Sequence, residues 1–133
     1  MSLSVLIVDD HPAIRSTMMD ILKSEGLEVE IAENGTTALK IYSDKEFAFV
    51  LMDMQMPDIK GIDTYRQMLA IPRRHAEFIF ISAFATPELE KKTKELGCLA
   101  FLHKPIRAEE VIKLIRSKSL LSVLVYISNK GFR

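Results

Sequence analysis

The chain has 133 residues, 48% of them hydrophobic and 27% charged, and its 18 Lys and Arg balance 18 Asp and Glu. That length suits one domain able to bury its own core, and zero net charge excludes the broad electropositive footprint of a nucleic-acid binder or a polybasic membrane surface. One cysteine, Cys98, excludes an internal disulfide and fits a reducing, cytoplasmic setting.

No apolar run reaches the roughly 18 residues of a membrane span, and the start lacks a charged-then-apolar leader pattern. Short apolar runs instead alternate with segments of helical period. Val5 to Val8 predicts a buried strand ending at Asp9-Asp10. Ile14, Met18, Ile21 and Leu22 then recur at helical spacing, with Pro12 suited to the first turn and Gly26 to the end. Asp10 is a candidate cap for that helix. Val29 to Ala32 predicts a second strand, Asn34-Gly35 a turn, and Ala38, Leu39 and Tyr42 a second helix. Phe47 to Met52 predicts a third strand ending at Asp53, followed by a loop through Met56-Pro57-Asp58-Ile59-Lys60-Gly61. Ile62, Tyr65, Met68 and Leu69 line a third helix. Phe78 to Ile81 predicts a fourth strand ending at Ser82. Leu89, Thr93 and Leu96 give a fourth helix a narrow inner face, with Gly97 at its cap. Leu99 to Leu102 predicts a fifth strand before Lys104-Pro105, and Val111, Leu114 and Ile115 a fifth helix.

Five successive βα units predict an α/β fold with a doubly wound parallel sheet, helices on both faces and flavodoxin-like strand order 2-1-3-4-5. Continuous apolar strands support this, because both faces of such a sheet are covered. The domain is expected over residues 4–118. Residues 119–133 stand outside the repeating scheme. Their apolar side chains, Leu120 to Ile127, leave open a continuation of the fifth helix, an extra strand, packing on the domain, a dimer contact or the linker stump of a further domain.

The strand reading carries a geometric consequence. Asp9, Asp10, Asp53, Ser82 and Lys104 all fall just past the carboxyl ends of parallel strands, the edge where doubly wound sheets bind ligands. Strands one and three are neighbours in the expected order, so three carboxylates converge. Such a cluster repels itself unless a counter-charge is present. A hard divalent cation such as Mg²⁺ supplies it through oxygen ligands and phosphate, Lys104 adds an ammonium, and Ser82 offers a hydroxyl. The set suits phosphoryl transfer, which depends on positioning and charge neutralisation. Asp53, alone between metal and lysine, is the expected nucleophile; the Asp9-Asp10 pair suits metal holding.

Four pieces carry a family resemblance: Val8-Asp9-Asp10, Leu51 through Pro57, Ile81-Ser82-Ala83, and Phe101-Leu102-His103-Lys104-Pro105. Together they resemble the response-regulator receiver domains, the CheY-like group of two-component signalling. The resemblance implies that Asp53 accepts phosphate from a histidine kinase's phosphohistidine. It implies Asp10 and Asp53 as direct ligands of Mg²⁺ (or Mn²⁺), Asp9 acting through water, and the Gln55 carbonyl as a third protein ligand. Ser82 and Phe101 fall at switch positions, and Lys104-Pro105 at a cis peptide. The implied partners are a sensor histidine kinase or phosphotransfer protein and an output domain or downstream protein. That output would be read on the face of helix four, strand five and helix five, which is also a candidate homodimer contact, as is the C-terminal extension. The implied setting is bacterial and cytoplasmic.

Two departures stand out: Lys60-Gly61 where an acidic residue and glycine are common, and Phe84, a bulky apolar residue two after Ser82, expected to shield an acyl phosphate from water. His11, at the site mouth, is a candidate contact for a kinase; like His75 and His103 it has no metal-ligand spacing. Arg73-Arg74-His75 reads as a solvated loop, and Met52, Met54 and Met56 as packing residues. Three other functions compete. A phosphatase or mutase using an Asp-x-Asp pattern conflicts with Gln55, two after Asp53. A nucleotide or flavin module lacks a glycine-rich phosphate loop. A receiver that docks partners without phosphorylation conflicts with the intact residue set.

Overall fold

A computed structural model describes the backbone over residues 3–130 and side chains over residues 3–119. Five strands alternate with five helices: β1 (Ser4–Val8), α1 (Pro12–Ser24), β2 (Glu28–Ala32), α2 (Gly35–Asp44), β3 (Phe49–Asp53), α3 (Gly61–Leu69), β4 (Glu77–Ser82), α4 (Pro87–Glu95), β5 (Ala100–His103) and α5 (Ala108–Lys130). All strand pairs are parallel, in the order β2-β1-β3-β4-β5. This is the CheY-like α/β arrangement expected from the apolar runs.

Period-two alternation sends each strand's side chains to two separate cores. Leu6, Val8, Val50, Met52, Phe78 and Phe80 join Tyr42, Tyr65 and Met68 on the face covered by α2 and α3. Val5, Ile7, Phe49, Leu51, Ile79 and Ile81 join Met18, Leu22, Val111 and Ile115 on the face covered by α1 and α5. The first core is aromatic: Tyr65 lies 4.6 Å from Phe78 and 4.9 Å from Phe80, centroid to centroid. The fully buried Tyr65 also donates its hydroxyl to the Leu96 carbonyl at 2.9 Å, tying α3 to the end of α4. Burial pushes its phenol up to about 12.

Local chemistry sets the helix ends, with four departures from expectation. The cap of α1 is His11, not Asp10, and no side chain caps it; Pro12 opens the helix, since the missing N–H is unneeded there. Asn34-Gly35 is no free turn: Asn34 caps α2 by accepting from Thr37 N–H at 2.9 Å, and Gly35 is the first helical residue. Arg74 is not a solvated loop residue, because its guanidinium reaches the carbonyls of Tyr42 and Ser43 at 3.2 and 3.1 Å, satisfying the end of α2. Strand β3 begins at Phe49 rather than Phe47, whose ring stacks on Tyr42 instead.

The backbone of α5 carries past Ser119 to Lys130. Whether Leu120 to Ile127 pack on the domain or on a second copy lies outside the described side chains. Among the described residues, no helix is long and apolar enough to cross a membrane.

Candidate functional site

Register aligns the carboxyl ends of the four neighbouring strands β1, β3, β4 and β5. Val8 pairs with Met52, Asp53 with Ile81, and Ser82 with His103. The parallel ladder then runs one residue further: Asp9 N–H donates to Ala32 O at 3.1 Å, Met54 N–H to Ile81 O at 2.9 Å, and Lys104 N–H to Ser82 O at 2.8 Å. These bonds hold the backbones that bear the polar groups, so the crevice rests on sheet rather than on free loops.

Asp9, Asp53 and Ser82 are buried, at 2%, 2% and 1% exposure. Lys104 Nζ lies 2.9 Å from Asp53 Oδ2 and 3.5 Å from Asp9 Oδ2, bridging two buried carboxylates. Burial disfavours the Lys104 ammonium, but its hydrogen bond to Asp53 and the charges of Asp53 and Asp9 outweigh this and hold its pKa above the ordinary value. The other Asp53 oxygen, Oδ1, accepts from Gln55 N–H at 2.9 Å. Ser82 Oγ accepts from Phe84 N–H at 3.1 Å. The Lys104–Pro105 peptide is cis. Phe101 is buried beside Phe80, with centroids 6.5 Å apart.

Asp9, Asp10, Asp53 and His11 each place one ligand atom within 4.8 Å of the others. The oxygen set fits a hard divalent cation. Asp9 Oδ2 and Asp10 Oδ1 are buried and have no hydrogen-bond partner, which leaves these two carboxylates acceptor capacity for an ion. The acidic cluster is therefore a fit site for such an ion.

The structure brings Asp9, Asp10, Asp53 and Lys104 together, sets Ser82 at the end of the strand between those of Asp53 and Lys104, and adds residues that sequence reasoning passed over. His11, set aside for its spacing, sits inside the cluster, Nδ1 lying 2.9 Å from Asp9 Oδ1 and 3.1 Å from Asp10 Oδ1. Arg15 donates to the Asp9 carbonyl at 2.7 Å. A helical turn separates Arg15 from His11, and that spacing was the available signal. Gly61 is required by close approach: a Cβ there would stand 2.7 Å from both the Asp53 carbonyl oxygen and Met54 Cα. Asp58 ties the β3–α3 loop to α2 through Gly35 and Thr36. Met56, Ile62, Phe84 and Leu89 also line the crevice.

Known proteins share this arrangement. The family model described as "Response regulator receiver domain" matches residues 5–116. The polar-differentiation response regulator DivK of Brucella anthropi is 30% identical over 115 residues, covering 86% of this chain and 94% of the relative. Sporulation initiation phosphotransferase F of Bacillus subtilis is 32% identical over 111 residues, covering 84% of this chain and 89% of the relative. The crystal structure of a CheY-like receiver domain protein from Methanospirillum hungatei superposes with a TM-score of 0.84 at 28% identity, covering 89% of this chain and 94% of that one. By contrast, the chain spans only 5% of the length of another curated relative, a peroxide stress-activated histidine kinase of Schizosaccharomyces pombe. With the family model matched over most of its length and the acidic crevice in place, the chain belongs to the response regulator receiver domain family of two-component signalling.

Proposed function

We propose that this domain is a phospho-acceptor switch whose Asp53 takes a phosphoryl group from the phosphohistidine of a sensor histidine kinase or a phosphotransfer protein. The observation that supports this most is the 2.9 Å pairing of Lys104 Nζ with the buried Asp53 Oδ2, in a crevice that also holds Asp9 and Asp10. Names of the relatives, a response regulator and a phosphotransferase, lend further support.

In this reading an Asp53 carboxylate oxygen attacks phosphorus, the P–N bond of the donor breaks, and the imidazole leaves with the electron pair. Lys104 balances charge on a phosphoryl oxygen, and the Ser82 hydroxyl, whose oxygen accepts from Phe84 N–H, donates to another. Asp9, Asp10, Asp53 and the Gln55 carbonyl would hold Mg²⁺ or Mn²⁺, which supplies charge neutralisation to carboxylates and phosphate together. Signalling follows as a population shift. Ser82 and Lys104 favour the conformer that grips the phosphoryl group, and movement of Ser82 makes room for Phe101, reshaping the α4–β5–α5 face. That face docks an output domain or partner, in a bacterial cytoplasm. The receiver unit is residues 4–118. Residues 119–133 are a helix-five continuation, a dimer contact or a linker stump, and a homodimer would form through that face or through this extension.

Incubation with acetyl phosphate and Mg²⁺, followed by intact mass measurement, tests the proposal. One phosphate adduct is expected, absent in Asp53→Ala. An unmodified protein that binds Mg²⁺ well would overturn it in favour of partner docking without phosphorylation.

A further inference from the structure

We propose that His11 is itself a ligand in the acidic cluster, making a mixed nitrogen–oxygen centre that favours borderline transition cations over Mg²⁺. The inference rests on the metal-holding part of the reading above and goes beyond the oxygen ligands named there.

Geometry carries it. Around a six-coordinate ion with bonds of about 2.1 Å, adjacent ligand atoms stand about 3.0 Å apart and opposite ones about 4.2 Å apart. His11 Nδ1 lies 3.1 Å from Asp10 Oδ1 and 4.0 Å from Asp53 Oδ2. The first separation matches an edge of the octahedron and the second comes close to a diagonal. A buried acceptor belongs to the same cluster: Asp9 Oδ2, on a residue 2% exposed, has no hydrogen-bond partner. Its nearest cation is Lys104 Nζ at 3.5 Å.

The ring is held in place by the backbone. His11 caps α1 in an extended conformation, φ −89° and ψ 110°. Its N–H donates to Asp9 Oδ1 at 2.8 Å, and its carbonyl accepts from Arg15 N–H at 3.1 Å. Pro12 follows and fixes its own φ. The side chain is 58% exposed, so an ion can enter and exchange past it.

The chemistry then sets selectivity. The neutral tautomer with its proton on Nε2 presents the Nδ1 lone pair to an ion. Imidazole nitrogen suits Ni²⁺ and its neighbours in the first transition row. Mg²⁺ takes oxygen and keeps its waters. His11 should therefore strengthen Ni²⁺ binding and do little for Mg²⁺.

The test is calorimetric titration of the full chain and of His11→Asn with Ni²⁺ and with Mg²⁺, together with pulsed EPR of bound Mn²⁺ for nitrogen modulation. Asn is a good helix cap, so the variant keeps the helix start. The expected result is a rise in the Ni²⁺ Kd of about tenfold or more on losing the imidazole, with an Mg²⁺ Kd changed much less, and nitrogen modulation present in the parent and absent in the variant. Equal fold-changes for the two cations, or no nitrogen modulation in the parent, would overturn the inference. If His11→Asn does not fold cooperatively, the parent's EPR signal decides. A protein that gains its phosphate adduct with Mg²⁺ yet shows no nitrogen modulation keeps the phospho-acceptor reading and loses this one.

Discussion

Asp58 Oδ2 accepts hydrogen bonds from both the N–H and the hydroxyl of Thr36, at 2.9 and 2.6 Å, while Asp58 Oδ1 accepts from Gly35 N–H at 3.0 Å. An aspartate from the β3–α3 loop thus caps α2 from outside the helix. It satisfies two N–H groups at a terminus that also favours negative charge. Slight burial raises the carboxyl pKa, but the bonds from Thr36, Ile59 and Gly35 prevail and hold it well below the usual carboxylate range. A depressed folded-state pKa contributes stability above the ordinary Asp value and loses it as pH falls toward the depressed one. Asp58→Ala should therefore cost about 1 kcal/mol at neutral pH, and the difference from the parent should shrink as the medium is acidified below about pH 4. Urea melts at pH 7 and pH 3 check this; a deficit that stays constant across that range would refute the linkage.

Lys104→Met tests the bridge between buried carboxylates. Asp53 and Asp9 would lose their shared cation, and an unpaired buried charge is costly; because Lys104 is 18% exposed on its side chain, water relieves part of the loss. A destabilisation of about 2 kcal/mol at pH 7 is expected. The raised pKa fixes the pH dependence. The ammonium's contribution is fully present below the ordinary lysine value of 10.5 and is lost as pH rises through the raised one. Denaturant melts of parent and variant should differ by a constant amount from pH 6 to pH 9 and converge at the alkaline end. Equal stability at pH 7 would show that the pair contributes nothing.

Much of this arrangement was legible in the sequence, for a physical reason. A strand buried on both faces must be apolar throughout, so Val5-Leu6-Ile7-Val8 and Phe78-Ile79-Phe80-Ile81 announced themselves, and the polar residue ending each run had to lie at the sheet edge. The illegible parts depend on backbone torsions or on contacts between distant segments. The pairing of Thr36 with Asp58 spans 22 positions, and nothing in either residue's neighbourhood announces it. His11 was passed over because metal-ligand spacing is a rule about side chains on one regular element. Here its ring enters the cluster through an extended cap residue between strand and helix. Arg74 has the polar, loop-like neighbours of a solvated residue, and only the fold places the carbonyls of α2 within its reach.

Gly61→Ala probes how tightly the acceptor loop is packed. The added methyl would meet the Asp53 carbonyl oxygen and Met54 Cα at 2.7 Å, and backbone atoms cannot rotate away as a flexible side chain could. Gly61 N–H also donates to Met54 O at 3.1 Å, so moving α3 outward would strain that bond. Overpacking of this kind costs about 1–3 kcal/mol. The shift falls on the residue that bears the proposed acceptor, so phosphorylation by acetyl phosphate should slow as well. Unchanged stability by urea melt would show that the loop yields freely.

Phe84→Ala separates shielding from packing. Phe84 N–H donates to Ser82 Oγ at 3.1 Å, a bond that alanine keeps, while the residue is 75% exposed and lines the crevice. So little of the ring is buried that stability should change by less than about 0.5 kcal/mol. Under the phospho-acceptor reading, the ring stands between solvent water and the acyl phosphate on Asp53, and hydrolysis needs that water. Removing the ring should therefore hasten loss of the phosphate, measured by intact mass over time after the donor is removed. Phe84→Leu, which restores apolar bulk, should recover part of the lifetime. A phosphate that persists as long or longer in Phe84→Ala would show that water reaches the acyl phosphate by another route and that the exposed ring serves some other contact.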